Sequence, residues 1–199
     1  MIHTILQDKK VVLASASPRR KTLFTMLGLK PLIIPADIHE PITREAPYVQ
    51  VMRHAKNKAL KVASRLDTES IVIGADTMVM LDKEILGKPE SNDQAAQFLR
   101  LLSGKTHKVY TGICVCWRNQ CETRYERSLV RFAPLSDNEI EEYIQTGEPM
   151  DKAGAYGIQG HGSQFIQRIQ GCYFNVMGFP IRLFYKMIKE MLQGNTSTN

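Results

Sequence analysis

The apolar residues of this chain follow two rhythms. Some form short unbroken runs, at residues 11–13 (VVL), 31–35 (PLIIP) and 70–75 (SIVIGA). The last reads as a fully buried strand, typical of a central, partly parallel sheet flanked by helices. Others recur every three to four positions. From Pro47 onward, Val49, Met52, Ala55, Ala59, Val62, Ala63 and Leu66 keep helical spacing, which predicts a helix of about five turns. Ile181, Phe184, Tyr185, Ile188, Met191 and Leu192 do the same for a last helix beginning at Pro180. Ser91 with Gln94, and Ser136 with Glu139, are capping-box patterns for helices ending near Gly104 and Gly147. Two long strands, 106–117 and 122–133, are joined by 118–121 as an antiparallel pair, and 164–169 is a further strand. Residues 77–81 and 85–86 suggest a hairpin leading into Gly87-Lys88-Pro89. Residues 148–162 hold four glycines and no stable period, a loop long enough to be either functional or disordered.

Candidate chemistry begins where the first apolar run breaks. In 11–23 (VVLASASPRRKTL), Ser17 can serve as N-cap with Pro18 at the first helical position. The helix start would gather free N–H groups, the hydroxyls of Ser15 and Ser17, and the cations Arg19 and Arg20, which suits a phosphate. The alternative is an ordinary capped helix with solvated arginines. Asp76 follows the buried strand at its carboxyl end, where ligands of open α/β sheets gather. Glu40 lies in a proline-punctuated polar loop. Lys58 flanks the apolar stripe of its helix and either snorkels along the core edge or reaches into a cleft, and Lys88 sits in a tight loop. Two acids with several cations suggest a Mg²⁺-phosphate site, because Mg²⁺ is usually held by one or two carboxylates with substrate oxygens. The string 103–106 (SGKT) mimics the end of a P-loop, but the glycine required earlier is Leu99, which excludes that motif.

Length and composition narrow the classes. At 199 residues with 43% hydrophobic and 23% charged positions, the chain can bury one substantial core over 1–194, either as a single domain or as two lobes sharing one sheet, with a disordered tail at 195–199. No apolar run reaches the ~20 residues of a membrane span, and the first residues lack signal-peptide character, so a cytoplasmic protein is expected. The net charge of +6 is dispersed rather than gathered into a basic stripe, which argues against nucleic acid. Cys114, Cys116, Cys121 and Cys172 have neither zinc-site spacing nor the density of a secreted scaffold, and free thiols are expected, with Cys114 and Cys116 on one strand face.

Four strings, at 15–20 (SASPRR), 74–77 (GADT), 86–89 (LGKP) and 151–160 (DKAGAYGIQG), together resemble the Maf family of nucleoside triphosphate pyrophosphatases. They occur in family order, cover nearly the whole chain and show no departure from its pattern. Residues 171–173 (GCY) and 175–180 (NVMGFP) also fit. The resemblance implies an α/β fold like that of inosine triphosphate pyrophosphatases: a mixed twisted sheet flanked by helices, in two lobes with a central cleft, commonly as a homodimer. It implies Asp76 as the catalytic residue accepting a proton from the attacking water. Arg19, Thr77 and Gln159 match substrate-selecting positions. Glu40, Lys58 and Lys88 match the remaining acid and cations, with Glu40 and Asp76 toward a divalent metal, Mg²⁺ or Mn²⁺. Ser15, Ser17 and Arg20 complete the substrate-binding set. The combination of SASPRR with Gln159 in GIQG resembles the subgroup acting on dTTP and UTP. A rival expectation from the same resemblance is a nucleotide-binding regulator of septum formation without turnover.

Overall fold

The computed structural model describes residues 1–194; the expected tail at 195–199 lies outside them. Seven strands form one mixed sheet. They are β1 (Val11–Leu13), β2 (Leu32–Ile33), β3 (Ile71–Leu81), β4 (Glu84–Leu86), β5 (Thr106–Trp117), β6 (Gln120–Phe132) and β7 (Ile166–Gln170). The order is β2-β1-β3-β5-β6-β7, with β4 paired to β3. β1 pairs in parallel with β2 and β3, while β3–β4 and β6–β7 are antiparallel. The helices are α1 (Ile2–Ile5), α2 (Pro18–Met26), α3 (Pro47–Ala63), α4 (Asn92–Leu102), α5 (Asp137–Gln145), α6 (Tyr173–Val176) and α7 (Ile181–Gly194). None among the described residues is long and apolar enough to cross a membrane. The expected mixed sheet with helices is thus the fold observed.

The chain divides into two compact units. The first comprises Met1–Asp76, Thr111–Glu126 and the described residues from Gly178; the second comprises Thr77–Tyr110 and Arg127–Met177. In the first, small residues dominate the core between strands and α3: Ala14, Ala36, Ala55, Ala59 and Cys114 pack with Val12, Val62 and Val72. Phe24, Phe179 and Phe184 form a separate aromatic trio with ring centroids 4.9–5.5 Å apart. The second unit has its own core, built around Leu99, Leu102, Phe132, Tyr156 and Phe165.

Two expectations require correction. Asp76 does not end a strand: β3 runs on to Leu81, and Asp76 sits within it. The strand changes partners on either side of this residue, pairing with β1 at 71–73 and with β4 at 79–81, so an acid and a threonine interrupt the apolar run without interrupting the strand. Second, Cys116 and Cys121 are joined by a disulfide, whereas Cys114 and Cys172 are free. The β5–β6 connection is tighter than the sequence suggests. Arg118 and Asn119 both adopt positive φ, and this two-residue turn sets Cys116 beside Cys121. Cys114 and Cys116 do share a face, with sulfurs 3.8 Å apart. Of the two alternatives for the 148–162 segment, the structure shows order, through short 3₁₀ turns at Glu148–Asp151, Ala153–Ala155 and from His161.

Candidate active site

The site in the first unit is built on α3. Pro47 opens this helix at a position where its missing N–H has no cost, and α3 runs 17 residues. Its buried face carries Gln50, Val51, His54, Ala55, Ala59 and Val62, so the polar Gln50 and His54 are buried where Val49 and Met52 of the expected stripe are only half-buried. Two strand glycines set how near the helix comes. A Cβ on Gly74 would lie 2.1 Å from the Ala55 carbonyl oxygen and 2.8 Å from the Ala59 nitrogen; one on Gly112 would lie 2.4 Å from the Val51 oxygen. Only a residue without a Cβ permits such backbone contact.

That approach brings α3 side chains onto Asp76, which is 8% exposed. Lys58 Nζ donates to Asp76 Oδ1 at 3.0 Å and to the Ala75 carbonyl at 3.2 Å, and it also pairs with Glu40. Of the two courses open to Lys58, the structure shows the reach toward the acids. His54 Nδ1 lies 3.1 Å from Asp76 Oδ2. Burial pushes the Asp76 carboxyl up, but the His54 hydrogen bond and the charges of Lys58 and Arg20 together outweigh it and hold the group below its ordinary value. Asp76 is therefore ionised at neutral pH although almost out of water. Gln50 supports the Glu40 loop: its amide accepts from the Thr43 nitrogen at 2.8 Å and donates to the carbonyls of Thr43 and Glu45.

The SASPRR loop belongs to the same unit. Ser17 is the N-cap residue of α2 with Pro18 following, but its hydroxyl makes no cap bond. The Ser15 hydroxyl accepts from the Ser17 nitrogen at 3.3 Å and from Arg20 Nη1 at 2.9 Å. Arg20 is 8% exposed and also donates through Nε to the Gly178 carbonyl at 2.8 Å. Ser15 and Arg20 thus hold the loop together, whereas Ser17 and Arg19 are half-buried.

Thr77, Lys88 and Gln159 belong to the second unit. Thr77 is half-buried on β3 and Lys88 is exposed just after β4. Its loop is tied down where the Gly154 nitrogen donates to the Gly87 carbonyl at 2.9 Å. Gln159 is exposed, and its side-chain amide makes no hydrogen bond among the described residues. The glycine-rich segment around it is pinned by Glu148. The Glu148 carboxylate accepts from the Tyr143 hydroxyl at 3.0 Å, the His161 nitrogen at 2.8 Å and the Gly162 nitrogen at 3.2 Å. Tyr143 in turn accepts from the Gly157 nitrogen at 3.2 Å. His161 is exposed.

Glu40, His54 and Asp76 each offer one ligand atom, all within 4.8 Å of one another. With His54 Nδ1 turned to Asp76, the two carboxylates are the oxygen ligands of this cluster, and they suit Mg²⁺ or Mn²⁺. The Lys58 ammonium bridging both carboxylates shows that a positive charge is accommodated there. His54 is missed from sequence because the apolar spacing runs through Val49, Met52 and Ala55 and leaves position 54 off the stripe. The signal lay in Gln50, His54 and Lys58, a polar row at four-residue spacing beside the small Ala55 and Ala59.

A mixed sheet with helices, carrying a buried carboxylate between an imidazole and an ammonium, defines an α/β protein with an acid-and-cation centre. Comparison with known proteins gives the family. The model described as Maf-like protein matches residues 10–191, and the chain belongs to the Maf family. A dTTP/UTP pyrophosphatase of Bacillus cereus (strain G9842) is 45% identical over 183 residues, 92% of this chain and 95% of that protein. One from Aquifex aeolicus (strain VF5) is 43% identical over 182 residues, again 92% and 95%.

Proposed function

We propose that the protein is a nucleoside triphosphate pyrophosphatase that hydrolyses dTTP and UTP to the monophosphate and pyrophosphate, acting in the cytoplasm as a homodimer. The observation that carries this reading is Asp76, a buried carboxylate kept ionised by His54 and Lys58; the names of relatives at 43–45% identity support the substrate class. Asp76 accepts the proton of the water that attacks the α-phosphate. Lys58 and Lys88 meet the charge of the phosphate oxygens, as does Arg19 at the start of α2, where free N–H groups favour an anion. Ser15, Ser17 and Arg20 shape that loop. Glu40 and Asp76 would hold the divalent cation, which when bound supplies charge neutralisation at the phosphates and a more acidic water.

Thr77 and Gln159 select the base. The Gln159 amide offers N–H to uracil O4 and C=O to its N3–H, a match that thymine shares and cytosine reverses. Purines are refused on size. The test offers purified protein with Mg²⁺ or Mn²⁺ a panel of triphosphates in ¹⁸O-labelled water, followed by mass spectrometry. Monophosphate carrying the label, with unlabelled pyrophosphate, is expected; diphosphate as a primary product overturns the reading. Gln159→Ala should lower kcat/KM for UTP by roughly ten- to a hundredfold. An unchanged ratio among UTP, CTP and GTP would remove the base-reading role.

A further inference from the structure

We propose that His54 is the positioning residue for Asp76, fixing the plane of its carboxylate; this rests on the reading of Asp76 as the proton acceptor. A carboxylate turns easily about the bond that carries it, since torsions of this kind have broad wells. Two contacts, one on each oxygen, are needed to hold its plane. Lys58 supplies one, but as a compact charge on a flexible stem shared among Asp76 Oδ1, the Ala75 carbonyl and Glu40, it gives little direction. His54 supplies the other through a rigid ring that is 1% exposed, with Nδ1 3.1 Å from Oδ2. An ionised carboxylate can only accept, so Nδ1 carries the proton of this bond.

The two contacts are mechanically linked. His54 and Lys58 are one helical turn apart on α3, and they reach the two oxygens of a single carboxylate. The backbone bearing them lies against Gly112 at Val51 and against Gly74 at Ala55 and Ala59, which brackets both residues. Packing does not ask for a histidine at this position. His54 Nε2 is buried and has no hydrogen-bond partner, a penalty that an apolar side chain of similar size would avoid. What the ring supplies and a leucine cannot is the directed N–H.

The test compares His54→Leu, which removes the donor, with His54→Asn, whose amide nitrogen can stand in for Nδ1. With UTP, His54→Leu is expected to lower kcat about tenfold while KM stays within about twofold and the melting temperature is unchanged or higher. His54→Asn should recover most of kcat. An unchanged kcat in His54→Leu overturns the proposal, as do equal losses in both variants accompanied by a lower melting temperature, the signature of a packing role. The second measurement needs no turnover. ¹⁵N-edited NMR of the intact protein should show a slowly exchanging His54 Nδ1–H proton that moves when Asp76 is replaced by Asn. If the wild type hydrolyses no triphosphate, the proposed function fails and this signal alone decides: its presence and displacement uphold the His54–Asp76 pairing, and its absence overturns it.

Discussion

Two histidines, His54 and His107, are each only 1% exposed, and each has one ring nitrogen without a hydrogen-bond partner. Their surroundings differ in one respect. His107 Nε2 meets the Tyr156 hydroxyl at 2.7 Å, and the ring stands edge-on to Phe132 and Tyr156 at 79°. Burial pushes its pKa down to about 4, so the imidazole is neutral at physiological pH. His54 meets a carboxylate instead. The same side chain, buried equally deeply, serves an aromatic core in one unit and an ionised acid in the other. Burial alone disarms a histidine; a charged neighbour decides whether it has work to do.

The largest expected effect lies on the His54 side. Asp76→Asn should lower kcat by about two orders of magnitude or more, because an amide cannot accept the proton of water, while the melting temperature changes little. Steady-state kinetics beside calorimetry checks this, and a folded variant with full turnover would remove Asp76 from the chemistry. On the other side the pattern should invert. Tyr156→Phe leaves the buried His107 Nε2 unbonded and should cost about 1–3 kcal/mol of stability with kcat little changed, as read by denaturant unfolding and turnover.

A smaller contrast concerns pH. Because the folded pKa of His107, about 4, lies below its unfolded value near ~6.5, the unfolded chain binds more protons between these limits. The stability it contributes is complete above about 6.5 and is lost as pH falls toward 4. Melting temperature should fall over that window in the wild type, and by less in His107→Leu; parallel curves would count against a buried neutral imidazole. The smallest effect belongs to the disulfide. Cys116 and Cys121 are five residues apart, and so short a loop constrains the unfolded chain little. Cys121→Ser should leave kcat within about twofold, and alkylation of the denatured, unreduced wild type should label only Cys114 and Cys172.

Much of this was legible in the sequence wherever pattern and chemistry agreed. The Ser136–Glu139 capping box forms with both of its bonds, and β5 occupies the residues expected of it. The Ser91–Gln94 box is only half made: Ser91 accepts from the Gln94 nitrogen, but the Gln94 side chain turns to the Glu90 nitrogen. Lys58 was found because a cation beside an apolar stripe is conspicuous. His54 and Glu148 were not, since neither is conspicuous where it stands: His54 lies off the expected apolar stripe, and Glu148 lies in a segment without period and accepts from the His161 nitrogen 13 residues on. The disulfide was hidden by its turn. Arg118 and Asn119 at positive φ are not the glycines that advertise a two-residue hairpin, so nothing in composition placed Cys116 opposite Cys121.

Gly74 and Gly112 carry a consequence for how this protein can evolve. Neither touches a polar group of the site through a side chain, although Gly74 opens the 74–77 string that carries Asp76. Yet a single methyl at either one meets α3 backbone at 2.1–2.4 Å, where no side chain can rotate away. The helix would have to retreat, drawing His54 and Lys58 from Asp76 together. Mutational drift at these two silent positions would therefore be felt as lost turnover, and selection on the chemistry reaches into the sheet through residues that have no chemistry of their own.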